Sequence, residues 1–141
     1  MKVLKFNSTT RLVTVNVNKY KINWDKDGAS KLEVKFRDFI KKYWINNIVL
    51  FQCRIPGSLL RIDFLNANKR LAVEVNGSQH EKYNAFFSGG SRTNYLASIK
   101  RDLSKEKWLE QNNIKLIVLN EDDLDKLSRD YILEKFDIDI L

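Results

Sequence analysis

The sequence predicts an α/β fold: one domain of 141 residues with a mixed sheet, helices, and a β-hairpin at its N-terminal end. Three observations predict it. The chain opens with alternating apolar and polar residues. Two long segments with helical apolar spacing then bracket three short β-type runs. A further short apolar run, Lys115 to Leu119, follows the second helical segment. The order hairpin, helix, three strands, helix, strand, helix belongs to an α/β chain rather than to a bundle or a sandwich.

Residues 2–6 and 11–17 alternate around Asn7-Ser8-Thr9-Thr10 and read as the hairpin. Asn23 to Ala29 is a polar linker, so residues 1–28 form an N-terminal extension. A helix starts at Ser30, because Ser30-Lys31-Leu32-Glu33 matches a capping box. Leu32, Phe36, Phe39, Ile40, Tyr43 and Trp44 then follow helical spacing and make one apolar stripe, ended by Asn46-Asn47. Ile48 to Cys53 is a strand, broken by Pro56-Gly57. Leu59–Leu65 and Leu71–Asn76 form a second hairpin about the turn-like Asn66-Ala67-Asn68-Lys69. Residues 81–94 are irregular. Tyr95 to Asn112 reads as a second long helix with Leu96, Ile99, Leu103, Trp108 and Leu109 as its apolar positions. Lys115 to Leu119 is a buried strand, and Asp122–Phe136 a helix in the C-terminal tail of residues 121–141.

Composition narrows the chemistry. The formal net charge is +7, and an excess of Lys and Arg favours an anionic partner. Cys53 is the one cysteine and His80 the one histidine, which excludes a disulfide framework, a cysteine zinc site and a His-rich metal site. The N-terminus lacks the apolar core of a signal peptide, and no run reaches transmembrane length, so an intracellular protein without a membrane partner is expected. Abundant Asn, Lys and Ile with little Ala fit an AT-rich coding genome such as many phages have.

The second hairpin carries the most specific signal. Asp63 interrupts the apolar run LLRIDFL, and Glu74 interrupts LAVEV. A charge in an apolar strand is unfavourable unless something compensates it. Folding symmetrically about the turn puts Asp63 opposite Glu74, where like charges repel. A divalent cation turns that repulsion into chelation, and carboxylates with waters and a backbone carbonyl suit Mg²⁺, with Mn²⁺ as a substitute. A one-residue slip would separate the two carboxylates onto opposite faces. In the aligned register, Ile62, Phe64, Val73 and Val75 fill one face. A metal site on a basic protein points to a nuclease, with DNA as the partner.

The order of elements and the residues on them resemble the PD-(D/E)XK, or restriction-endonuclease-like, superfamily, and most of all its very-short-patch-repair-like branch. The matching residues are Glu33 on the first helix, Asp63, the run Glu74-Val75-Asn76-Gly77, His80, and Asp102, Lys105, Leu109 and Asn113 on and after the second helix. Pro56-Gly57 falls where that pattern has a turn before the Asp strand. The resemblance covers residues 30–120. It implies a restriction-endonuclease-like core of helix, three-stranded antiparallel meander, helix and strand, and an Mg²⁺-dependent DNA endonuclease that uses a metal-activated water. A homing-type enzyme encoded by a phage, or a nicking enzyme, is the expected kind. A double-strand cut would need two sites, hence a homodimer.

The resemblance also assigns roles. Asp63, Glu74 and the Val75 carbonyl hold the metal. Asn76 stands where the superfamily's Glu-x-Lys pattern has Lys, and either orients the water or starts the turn at Gly77. Lys105 or Lys100 would supply the missing ammonium, with Lys105 preferred. His80 is the candidate general base, with Gln79 as a weaker second. Glu33 is either a helix cap or an outer carboxylate of the site, and Asp102 belongs to the same outer group. Lys82, Arg92, Lys100, Arg101 and Lys107 are the candidate DNA contacts. Tyr83, Phe86 and Phe87 either stack on bases or pack internally. The alternative is a DNA-binding module of the same fold that has lost its chemistry.

Overall fold

The computed structural model describes residues 1–26, 30–76 and 92–141. Strands β1 (Lys2–Leu4) and β2 (Leu12–Thr14) pair antiparallel, with Val3 opposite Val13. The expected second strand ends early. Asn16 caps a short helix, α1 (Val17–Tyr20), by accepting from the Lys19 N–H. Helix α2 (Lys31–Trp44) starts as predicted, with both halves of the capping box formed: the Glu33 N–H donates to Ser30 Oγ and the Ser30 N–H to Glu33 Oε1.

The main sheet contains β3 (Val49–Arg54), β4 (Arg61–Asn66), β5 (Leu71–Val75) and β6 (Lys115–Leu119), in that spatial order. The first three form an antiparallel meander, and β6 runs parallel to β5. Between β5 and β6 lies helix α3 (Arg92–Gln111). Its end is a Schellman motif: the Ile114 N–H bonds Leu109 O and the Asn113 N–H bonds Glu110 O, with Asn113 left-handed at φ 55°. That turn delivers the chain straight into β6.

Two apolar clusters cover the two sheet faces. Phe36, Ile40 and Trp44 of α2 meet Phe64, Val73, Ile117 and Leu119 on one side. On the other, Trp108 and Leu109 of α3 and the N-terminal hairpin's Val3 cover Leu50, Ile62, Leu65 and Ala72. The hairpin is locked to α3 by a reciprocal pair. Trp108 Nε1 donates to Leu4 O at 2.7 Å, and the Leu4 N–H donates to Asn112 Oδ1 at 2.7 Å. These bonds satisfy polar groups that the apolar contact would otherwise strand.

Three expectations change. The tail helix is two helices, α4 (Glu121–Leu124) and α5 (Arg129–Phe136), because Asn120 and Ser128 each cap a separate start. On α3 only Trp108 and Leu109 are buried, while Leu96, Ile99 and Leu103 are exposed. Ile62 does not share a face with Phe64 and Val73. It lies in the α3-side cluster, as does Cys53, whereas Phe64 belongs to the α2-side cluster and Phe51 packs against it. Two residues apart should mean the same face. The exception comes from Gln52, whose φ of 50° turns β3 over in the middle of the strand. Its neighbours stay paired one-to-one, Phe51 with Phe64 and Cys53 with Ile62, so β4 turns with it at Asp63. Among the described residues, no helix is long and apolar enough to cross a membrane.

Candidate functional site

The pairs Phe64–Val73, Leu65–Ala72 and Asn66–Leu71 establish the register that puts Asp63 against Glu74. Beyond Phe64 the carboxylates take over from the backbone ladder. The Asp63 N–H donates to Glu74 Oε2 at 3.1 Å, and the Val75 N–H donates to Asp63 Oδ2 at 2.9 Å. Each acidic side chain thus binds the opposite strand's backbone and draws the two carboxyl groups together at the point where the strands separate.

Two further residues complete the cluster. Lys105, from α3, donates to Glu74 Oε1 at 2.8 Å, and both side chains are largely buried. Gln52, from β3, donates through Nε2 to Asp63 Oδ1 at 2.9 Å and to Glu33 Oε2 at 2.7 Å. Glu33 does two jobs at once: Oε1 caps α2 while Oε2 takes the Gln52 amide. The helix cap expected of it is formed, and the same carboxylate is joined to Asp63 through Gln52. Gln52 is the residue that sequence reasoning missed. Its signal was present, since it is the one polar residue inside VLFQC, in the same way that Asp63 and Glu74 interrupt their strands.

The electrostatics are uneven. Lys105 neutralises Glu74 and not Asp63. Burial, a hydrogen bond with the Glu74 carboxyl and the Glu74 charge push Asp63 up from 3.8 to about 7, against the lowering effect of the Val75 N–H and the Gln52 amide. The pair therefore retains a proton near neutrality that separate carboxyls would shed.

Gln52 occupies a conformation that non-glycine residues adopt at a penalty of about 1–2 kcal/mol. Gln52→Ala should keep the penalty and lose both amide bonds, lowering stability by about 1–2 kcal/mol. Gln52→Gly should lose the same bonds but relieve the backbone, and come out about 1 kcal/mol more stable than the alanine variant. Urea unfolding of the three proteins checks this; an alanine variant as stable as the glycine one would contradict the strained turn.

Asn76 stands at the end of β5, half-buried, its N–H bonded to Leu119 O at 2.9 Å, which prolongs the ladder to β6. Asp102 is exposed on α3, and no described hydrogen bond ties it to the carboxylates. Lys100 and Arg101 are exposed and border a cleft with Leu60 and Ser104; Arg92 and Lys107 are exposed on the same helix. His80, Gln79, Lys82, Tyr83, Phe86 and Phe87 lie outside the described residues.

Asp63 and Glu74 offer carboxylate oxygens of the kind a hard divalent cation takes together with waters and backbone carbonyls. Each carboxylate oxygen has one protein donor and so keeps accepting capacity. Among the described residues, no three His, Cys, Asp or Glu side chains converge to hold a metal ion, and Glu33 joins the pair only through Gln52. Comparison with models of known families, with curated proteins and with solved structures found no match.

Proposed function

We propose that this chain is a metal-dependent DNA endonuclease of the restriction-endonuclease-like kind. The observation that carries the reading is the buried cluster of Asp63, Glu74 and Lys105 at the splayed ends of β4 and β5 on a chain of net charge +7. Acids raised by burial beside a like charge, with a cation next to them, are a recurring feature of functional sites. In this reading Asp63, Glu74 and the Val75 carbonyl hold Mg²⁺, or Mn²⁺ in its place. The bound ion supplies an activated water and offsets charge on the scissile phosphate.

The protein groups do the remaining work. In this reading Lys105, which reaches Glu74 from α3, supplies the ammonium that the Glu-x-Lys pattern carries on the strand, in place of Asn76. With Glu74 committed to a cation, Lys105 is free to turn its protons to the phosphate or to the attacking water. Gln52 holds Asp63 in place and ties it to Glu33. The attack is direct, without a covalent enzyme intermediate.

One observation favours a second reading, a DNA-binding module that does not cut. Lys105 and Gln52 already serve the carboxylates, so the cluster is a closed network without a metal. Incubation of supercoiled plasmid with Mg²⁺, with Mn²⁺ and with EDTA separates the two. Nicked or linear product with either metal and none in EDTA is expected. Binding without cleavage under every condition would establish the second reading instead.

A further inference from the structure

Beside the carboxylate cluster lies a cleft of about 440 Å³ that the proposed chemistry does not use. It is formed where α1 and the segment after it cross the end of α2. Its position is fixed by the sheet: the Ile22 N–H donates to Val49 O at 2.9 Å, and Lys21 bridges to Leu50 of β3. Four cations line it, Lys19, Lys21, Lys26 and Arg37, against one carboxylate, Glu33. Lys19, Lys21 and Lys26 are exposed, and among the described residues none has a carboxylate within 4.0 Å.

Arg37 is a different kind of residue. It is 9% exposed, and its Nε is the one buried side-chain nitrogen or oxygen without a hydrogen-bond partner among the described residues. One terminal nitrogen, Nη1, donates to Lys26 O at 2.5 Å, while Nε stays 3.6 Å from the Asp38 carboxylate, at ion-pair range only. A guanidinium drawn into a cleft with an unused donor is a poor choice for stability alone. It suits planar recognition of a phosphate. Tyr20 and Phe51, both half-buried, add aromatic surface to the lining. A sugar or a base fits such surface, and the volume lies in the range of small-molecule sites.

Glu33 connects the two places. It lines this cleft, and its Oε2 takes the Gln52 amide that also bonds Asp63. We infer that the cleft binds one nucleotide of the nucleic-acid strand whose phosphodiester lies at Asp63 and Glu74, its phosphate against Lys21, Lys26 and Arg37 and its sugar or base over Phe51 and Tyr20. The inference rests on the nuclease reading, and it gives the N-terminal segment a substrate-binding role that the core strands do not supply.

The test is DNA binding without cleavage, by fluorescence anisotropy of a labelled duplex and of a labelled single strand in EDTA. Two triple variants of equal charge change are compared. One is Lys19→Ala with Lys21→Ala and Lys26→Ala. The other is Lys2→Ala with Lys69→Ala and Lys115→Ala, which line clefts that share Arg70, at the far end of β5 from Glu74. The cleft variant should bind about tenfold or more weakly, with a salt slope smaller by about two to three units. The far-end variant should change by no more than about twofold. Equal losses in the two variants, or no loss in the cleft variant, would overturn the cleft assignment and leave the nuclease reading standing. Failure of the unmodified protein to bind either DNA would overturn both.

Discussion

Glu74→Gln is expected to abolish cleavage while leaving DNA affinity within about threefold of the unmodified protein. The substitution keeps the size of the side chain and removes the charge that faces both Asp63 and Lys105. Transition-state charge stabilisation by a bound metal is worth several kcal/mol, so a loss of at least about 10³-fold in cleavage rate should follow. Affinity comes mainly from Lys and Arg on phosphates, which the change does not touch. Structural damage should be small, because Lys105 is 21% exposed and its ammonium can reach water. Single-turnover cleavage of a plasmid in Mg²⁺, alongside anisotropy in EDTA, measures the two quantities separately. Cleavage at a near-normal rate would remove Glu74 from the reaction, and with it the site.

Asp63→Asn should make the metal-free protein more stable above neutral pH and flatten its pH dependence. The Asp63 carboxyl titrates at about 7 in the folded protein and at 3.8 when unperturbed. Between those values the folded state holds a proton that the unfolded state has released. Stability from this group is therefore complete below about pH 4, falls as the pH rises toward 7, and is level beyond it. At roughly 1.4 kcal/mol per pKa unit, the loss is on the order of a few kcal/mol. The amide variant carries no such proton. In EDTA at pH 8 it should melt roughly 5–10 °C above the unmodified protein, and near pH 4 the two should converge. Millimolar Mg²⁺ should raise the melting temperature of the unmodified protein through binding linkage and the variant's much less. Parallel melting curves across pH 4–8 would refute a proton held between Asp63 and Glu74.

Much of this architecture was legible because it depends on short-range rules. The capping box at Ser30 and Glu33 involves residues three apart, and it formed as read. The opposition of Asp63 and Glu74 follows from a tight turn and the two-residue period of strands, and the observed register agrees with it. The tail helix was misread because its apolar spacing runs on through Leu124, Leu127 and Tyr131, while Asn120 and Ser128 restart the capping twice. Leu96, Ile99 and Leu103 are apolar positions of the second helix by periodicity, yet they are exposed, because periodicity reports a stripe but not what covers it.

By itself, the sequence determined the α/β order of elements, the meander with its facing carboxylates and the basic character of the chain. Those follow from hydrogen-bond periodicity, turn chemistry and composition, all of which act over a few residues or over none in particular. The tertiary structure alone decided that Lys105 pairs with Glu74 rather than with Asp63 and that burial beside Glu74 pushes the Asp63 carboxyl up. It also decided that Gln52 adopts a left-handed turn to join Asp63 to Glu33, and that an underused Arg37 lines a cleft beside them. Desolvation and Coulomb energies depend on distances between groups far apart in the chain, and the Lys105–Glu74 contact spans 31 positions. No local pattern encodes such a distance; it exists only once α2, α3 and the sheet have packed.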